Sequence, residues 1–133
     1  MAKNALQDMS LASDVAVLFL LRYHSENLYK HLGKEAERLF TSTAVLTFDG
    51  NRLSSAQTIS HFYRSYGNVK SKVIHYDAQP IRNAEVPSVV MSVVTIELDK
   101  RRGTRNRVYH TLILCKVTDH YMIKSAIIRH MPM

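Results

Sequence analysis

SVVMSVVTIELDKRRGTRNRVYHTLILCK, residues 88–116, is the stretch on which the fold turns. It reads as two strands that are apolar on both faces. Over Val89–Leu98 one face carries Val89, Met91 and Val93, and the other Val90, Val94, Ile96 and Leu98. Over Val108–Val117 one face carries Val108, Leu112 and Leu114, and the other Tyr109, Ile113, Cys115 and Val117. A strand with one wet face alternates apolar with polar residues. These strands do not, so both faces call for cover. The chain has 133 residues, which suits one domain with one core. Its remainder offers a single helical layer, so a second protein is the expected cover for the other face.

Upstream, residues 1–9 read as a flexible N-terminus, and 10–133 as one domain. Leu11, Val15, Leu18, Leu21 or Arg22, and Ser25 fall at helical spacing, with Val17, Leu20 and Leu28 widening the stripe. This predicts a deeply buried helix over Leu11–Leu32, capped by Ser10 or Ser13 and closed by Gly33. A short helix is expected over Lys34–Phe40 and a strand over Ala44–Phe48. Asp49-Gly50 signals a tight turn. Ser54 or Ser55 caps a third helix that runs to Tyr66 and stops at Gly67-Asn68. Strands are then expected over Lys70–Ile81, Val89–Leu98, Arg107–Val117 and Tyr121–His130. The predicted class is α+β, with a curved antiparallel sheet wrapped around three N-terminal helices.

The formal charge is +7, and it is concentrated. Lys100, Arg101, Arg102, Arg105 and Arg107 lie within eight residues, and without them 13 Lys and Arg face 11 Asp and Glu. This is a nearly neutral domain with one basic hairpin. That hairpin is a candidate contact for RNA or another acidic partner through phosphate neutralisation. No aromatic stacking set is interleaved with it. The single cysteine, Cys115, reads as a buried apolar residue in a protein of a reducing compartment. The apolar run Ala16–Leu21 falls far short of the roughly 20 residues that span a bilayer, so no membrane role is expected. The seven histidines show no ligand spacing, and neither metal nor cofactor is expected. His75 and Asp77 share a strand face, and with the Tyr23 hydroxyl they make up the best acid–base set.

Several segments, taken in order, carry a resemblance. They are Phe19 to Tyr23, Arg38-Leu39-Phe40 with Leu46-Thr47-Phe48-Asp49-Gly50-Asn51, Ile59-Ser60-His61-Phe62, Tyr76-Asp77-Ala78-Gln79-Pro80-Ile81, Val108 to Leu114, and Tyr121 to Arg129. Together they resemble the nuclear transport factor two superfamily over Phe19 to Arg129, with the "DAQP" strand the most specific match. The resemblance implies a cone-shaped sheet around helices, and dimerisation through the exposed sheet face. Within the superfamily the likeness runs to the small subunit of the mRNA export receptor. That likeness implies a non-catalytic subunit of the nucleus, nuclear pore and cytoplasm, paired with a related domain of the large export subunit. Phe-Gly repeats of the pore and RNA are the further partners it implies. By this likeness Arg129 bonds an acidic residue of the partner. Val93, Leu112, Ile123, Tyr121 and His110 are the other expected partner contacts.

The departures define a divergent member. Ala126 stands where the family has aspartate and Ile128 where it has phenylalanine. Val108 and Leu112 replace aromatics, and His110 replaces glutamine. Lys100 and Arg102 fall where the carrier of GDP-bound Ran has acids, so Ran transport is not expected, although Asp49 does match one acid of that carrier. The alternatives are an isomerase or dehydratase of the same fold, and a homodimeric adaptor for Phe-rich peptides.

Overall fold

The computed structural model describes residues 2–67 and 69–133. In chain order the elements are α1 (Ala2–Tyr23), α2 (Leu28–Leu39), β1 (Phe40–Phe48), β2 (Asn51–Ser54), α3 (Ala56–Tyr66), β3 (Lys70–Pro80), β4 (Ser88–Asp99), β5 (Thr104–Val117) and β6 (His120–Pro132). The strands form one six-stranded sheet in the order β2-β1-β6-β5-β4-β3. The α+β architecture is the expected one, with the helices packed against one face of the sheet. One junction departs from an all-antiparallel sheet, since β1 runs parallel to β6. β2 is a strand that the sequence did not signal. Phe48 pairs with Asn51 across Asp49-Gly50, and both turn residues have positive φ, as a two-residue hairpin of this hand requires.

The helix expected over Leu11–Leu32 is two helices. α1 is already helical at Ala2, within the segment expected to be flexible, and Met1 lies outside the described residues. α1 ends at Tyr23, and α2 starts at Leu28. In one continuous helix Tyr23 and Leu28, five residues apart, would point roughly 140° away from each other. Both are fully buried here, and the break over His24–Asn27 lets both enter one core. The end of α1 is tied by the His24 N–H, which donates to Leu20 O (2.9 Å), and by His31 Nε2, which donates to Arg22 O (2.6 Å).

The buried stripe of α1 is also rotated from the expected one. Ala12, Val15, Ala16, Phe19 and Tyr23 face the core, while Leu18 and Leu21 are 66% and 76% exposed and Leu11 and Val17 are also exposed. Two apolar stripes one residue apart differ by about 100° around a helix. The one carrying the aromatic pair Phe19 and Tyr23, whose rings stack at 6.1 Å, takes the core.

Gly33 does not stop a helix. It lies inside α2 where α3 crosses, and a Cβ there would be 2.8 Å from Arg64 Cγ and 2.9 Å from the Arg64 backbone nitrogen. The close approach lets Ser60 Oγ (2.6 Å) and Arg64 Nε (3.2 Å) donate to Gly33 O. α3 is capped by Ser55, whose Oγ accepts from the Thr58 N–H at 3.2 Å, and it ends before Gly67 at φ 115°. The expected stop partner Asn68 lies outside the described residues.

Gly33→Ala is therefore expected to destabilise the protein by about 1–3 kcal/mol through overpacking, despite the roughly 1 kcal/mol gain in helix propensity. Urea denaturation of the two proteins measures the difference.

Candidate functional site

The sheet has two faces with different chemistry, set by strand parity. On the inner face Val89, Met91, Val93, Thr95 and Glu97 of β4 and Val108, His110, Leu112 and Leu114 of β5 are buried. The polar members form a pinned interior. Tyr23 Oη and His110 Nδ1 are 2.9 Å apart, and His110 Nε2 and Thr95 Oγ1 are 3.0 Å apart. One neutral imidazole satisfies both bonds with either ring proton, because both hydroxyls can donate or accept. Burial, with smaller repulsion from His130 and His24, pushes the His110 pKa down to about 3. Burial also raises the Tyr23 hydroxyl above its ordinary range. Both groups are uncharged at neutral pH and serve as structural pins.

A second cluster closes the open end of the sheet. His130 Nε2 lies 2.8 Å from Glu97 Oε2 and 3.1 Å from Tyr29 Oη. His130 Nδ1 lies 2.8 Å from Asp49 Oδ2, off the line of a hydrogen bond, so this contact is electrostatic. The His130 backbone N–H donates to Asp49 Oδ1 (2.8 Å), and the Asp49 N–H donates to Ile128 O (2.9 Å). Asp49, at φ 47° in the hairpin turn, is thus turned onto β6. The rings of Phe48 (5.1 Å), Tyr66 (6.3 Å) and Tyr29 (6.4 Å) pack about the histidine, and Phe62 and Tyr63 pack against Phe48 behind them. Burial lowers the His130 pKa, but the Glu97 and Asp49 carboxylates outweigh it and the net shift is upward.

The outer face shows four cross-strand rows. They are Lys70–Leu98–Arg105, Lys72–Ile96–Arg107–Met131, His75–Val94–Tyr109–Arg129 and Asp77–Ser92–Thr111–Ile127. Val90 and Ile113 continue the apolar middle as a pair in the next row. Tyr109 is 40% exposed and Ile127 56%. The face is an apolar centre flanked by cations, with Asp77 as the carboxylate in these rows.

These positions correct several expectations. Val93, Leu112, Ile123 and His110, expected to meet a partner, are buried on the inner face and form the core. Tyr121 is half-buried and packs against the same core. Arg129 is exposed on the outer face as expected. The error on β6 has a physical cause. Ile113 pairs with Ser125 and Leu114 with Ile123, so Lys124 is an extra bulged residue that flips the parity of the strand. Tyr121 and Ile123 fall inside, while Ile127 and Arg129 fall outside. The basic hairpin also divides. Lys100–Gly103 is the turn, in which Asp99 Oδ1 accepts from the Arg101 and Arg102 N–H groups (3.0 and 3.4 Å). Arg105 and Arg107 belong to β5 and stand on the outer face.

His75 and Asp77 do share a face, but it is the outer one, opposite Val94 and Ser92. They are exposed and lie away from Tyr23. Among the described residues no three His, Cys, Asp or Glu side chains converge as a metal set, and no helix is long and apolar enough to cross a membrane. Thr95, Glu97 and His130 were missed from the sequence. Thr95 and Glu97 carried a signal, because both are in phase with Met91 and Val93 on the strand face that must be buried.

No family model matches this sequence, and no curated protein matches it. Solved structures do match in fold. Nuclear transport factor 2 from Cryptosporidium parvum superposes with a TM-score of 0.70 at 16% identity, covering 90% of this chain and 94% of that one. The yeast UBP3-associated protein BRE5 gives 0.71 at 20% identity, covering 91% and 97%. A Nostoc punctiforme protein of unknown function with a cystatin-like fold gives 0.70 at 10% identity, covering 92% and 93%.

The two clusters make opposite contributions to the pH dependence of stability. His110 is depressed, so its contribution is complete above the unfolded value of roughly 6.5 and is lost as pH falls toward 3, with a slope approaching about 1.4 kcal/mol per pH unit. His130 is raised, so its contribution is complete below that value and is lost as pH rises through its folded pKa. Urea unfolding across pH 5–9 is expected to pass through a maximum, with His130→Asn flattening the alkaline arm alone. Leu112→Ala should cost about 2–5 kcal/mol as a core truncation, read in the same assay.

The chain thus has the nuclear transport factor 2-like, cystatin-like fold, with the helices packed on one sheet face and the outer sheet face left open.

Proposed function

We propose that this chain is a non-catalytic subunit that pairs through the outer face of β3–β6 with a related domain of an mRNA export receptor, and so supports RNA transport through the nuclear pore. The observation that carries this is the outer face itself. Val90, Val94, Tyr109, Ile113 and Ile127 make an apolar patch around Ser92 and Thr111, with the helices all on the opposite side. An apolar patch of this extent, rimmed by polar groups, is the signature of a protein-interaction surface. Pairing of two such sheets would bury of order 1,600 Å² or more.

The charge on the face favours a different partner over a second copy. Lys72, Arg105, Arg107 and Arg129 flank the patch with Asp77 as the carboxylate among them. A two-fold dimer would bring a second set of the same cations to the interface, whereas an acid-rimmed partner sheet would neutralise them. Arg129, adjacent to Tyr109 across the strands, is placed to make a bidentate pair with a partner carboxylate and set the register. A non-catalytic role is supported by the interior, where Tyr23, His110 and Thr95 satisfy one another. Location in the nucleus, at the pore and in the cytoplasm goes with this reading. So do Phe-Gly repeats and RNA as further contacts, the latter at the Lys100–Arg107 hairpin.

The chain, co-expressed with large export subunits, should form a stable 1:1 complex, measured by light scattering after size exclusion. Arg129→Glu should weaken it tenfold or more, about 1.4 kcal/mol, and an acid-to-arginine change in the partner should restore it. Tyr109→Ser should weaken it comparably with little effect on the stability of the free chain. A protein that stays monomeric beside every such subunit, or that self-associates through this face, overturns the assignment.

A further inference from the structure

At the open end of the inner face, a cleft of about 570 Å³ is lined by Arg64, Tyr66, Glu97, Arg101, Arg102 and Asn106. Its floor holds an unmet polar atom. Glu97 is 3% exposed. Its Oε2 is engaged by His130, but its Oε1 has no hydrogen-bond partner among the described residues. A buried carboxylate oxygen left without a donor costs free energy, more than a neutral group would. The cleft therefore wants an N–H or O–H donor at its floor.

The rim wants the opposite charge. Arg64 is anchored by its Nε bond to Gly33 O. Arg101 and Arg102 are held at the tip by the Asp99 carboxylate, which accepts their backbone N–H groups and leaves their guanidinium groups free of that oxygen. Three guanidinium groups at the mouth of one cleft are suited to a phosphate, which they bind through paired N–H donors. Asp99 also lines the cleft but is engaged by the hairpin's own N–H groups, so the three arginines of the lining disfavour a lysine or arginine of a partner as the occupant. Tyr66, 38% exposed and packed on Tyr29 and Phe48, also lines the cleft, and an aromatic ring there is suited to a flat heterocycle.

We propose that this cleft is a binding site for a nucleoside monophosphate whose base edge presents N–H donors, guanine above all. The guanine N1–H and N2–H groups address the Glu97 carboxylate, the base lies on Tyr66, and the phosphate meets the arginine rim. The volume lies within the range of small-ligand sites. The site is independent of the pairing proposed for the outer face, because Glu97 and Tyr66 belong to the inner side.

The test is a titration of the full chain, followed by amide NMR, with guanosine monophosphate, adenosine monophosphate and inorganic phosphate in parallel. Guanosine monophosphate should shift residues 64–67 and 97–106 saturably, and bind at least tenfold more tightly than phosphate or adenosine monophosphate. Glu97→Gln should remove that preference while leaving phosphate binding unchanged, and Arg102→Ala should weaken all three. Equal binding of the three ligands by the wild-type chain, or no saturable shift at millimolar guanosine monophosphate, overturns the proposal. Because the wild-type comparison decides the matter alone, it holds even where Glu97→Gln loosens the fold.

Discussion

A sheet that is greasy on two sides and helices enough for only one side are the constraint from which the rest of the structure follows. Hydrophobic burial stabilises in proportion to area removed from water, so the single helical layer must be used fully on one face. α1 does this with its Phe19–Tyr23 aromatic edge, and the break before α2 turns Leu28 into the same core. What remains is a second face that this chain has no further element to cover. The shape of the domain and its open outer face thus come from the same imbalance.

Polar groups appear on the buried face only where they hold distant segments together. Tyr23, His110 and Thr95 join α1 to β5 and β4. Asp49, His130 and Glu97 join the β1–β2 turn to β6 and β4. In a low-dielectric interior such networks are stabilising only when nearly every member is satisfied. The first is complete and its groups are neutral. The second sets the His130 imidazole, its pKa raised, between two carboxylates and leaves one carboxylate oxygen over.

Much of the fold was legible because it rests on short-range rules. The doubly apolar strands, the Asp49-Gly50 hairpin turn and the Ser55 cap each depend on a few adjacent residues, and each formed as expected. The misreadings all involve contacts between segments distant in sequence. Gly33 resembles a helix stop but is a crossing point, which only the position of Arg64 reveals. The Leu11–Leu18–Leu21 stripe resembles a core face, yet the neighbouring stripe carries the rings that fill the sheet's hollow. The partner contacts failed on parity. One bulged residue at Lys124 moves Ile123 inward and leaves Ile127 and Arg129 outside, and a strict two-residue period cannot register it.

By itself the sequence determined that there are two strands apolar on both faces, a cluster of cations between them, and an α+β order of elements. These follow from periodicity and turn chemistry, which are local. Only the tertiary structure decided which apolar residues are core and which are surface. It also divided the basic stretch, sending Arg105 and Arg107 to the outer sheet and Arg101 and Arg102 to the mouth over Glu97. The reason is that β4 and β5 carry apolar residues on both faces. The choice between the faces is made by the register of neighbouring strands and by bulges, and those are properties of the assembled sheet.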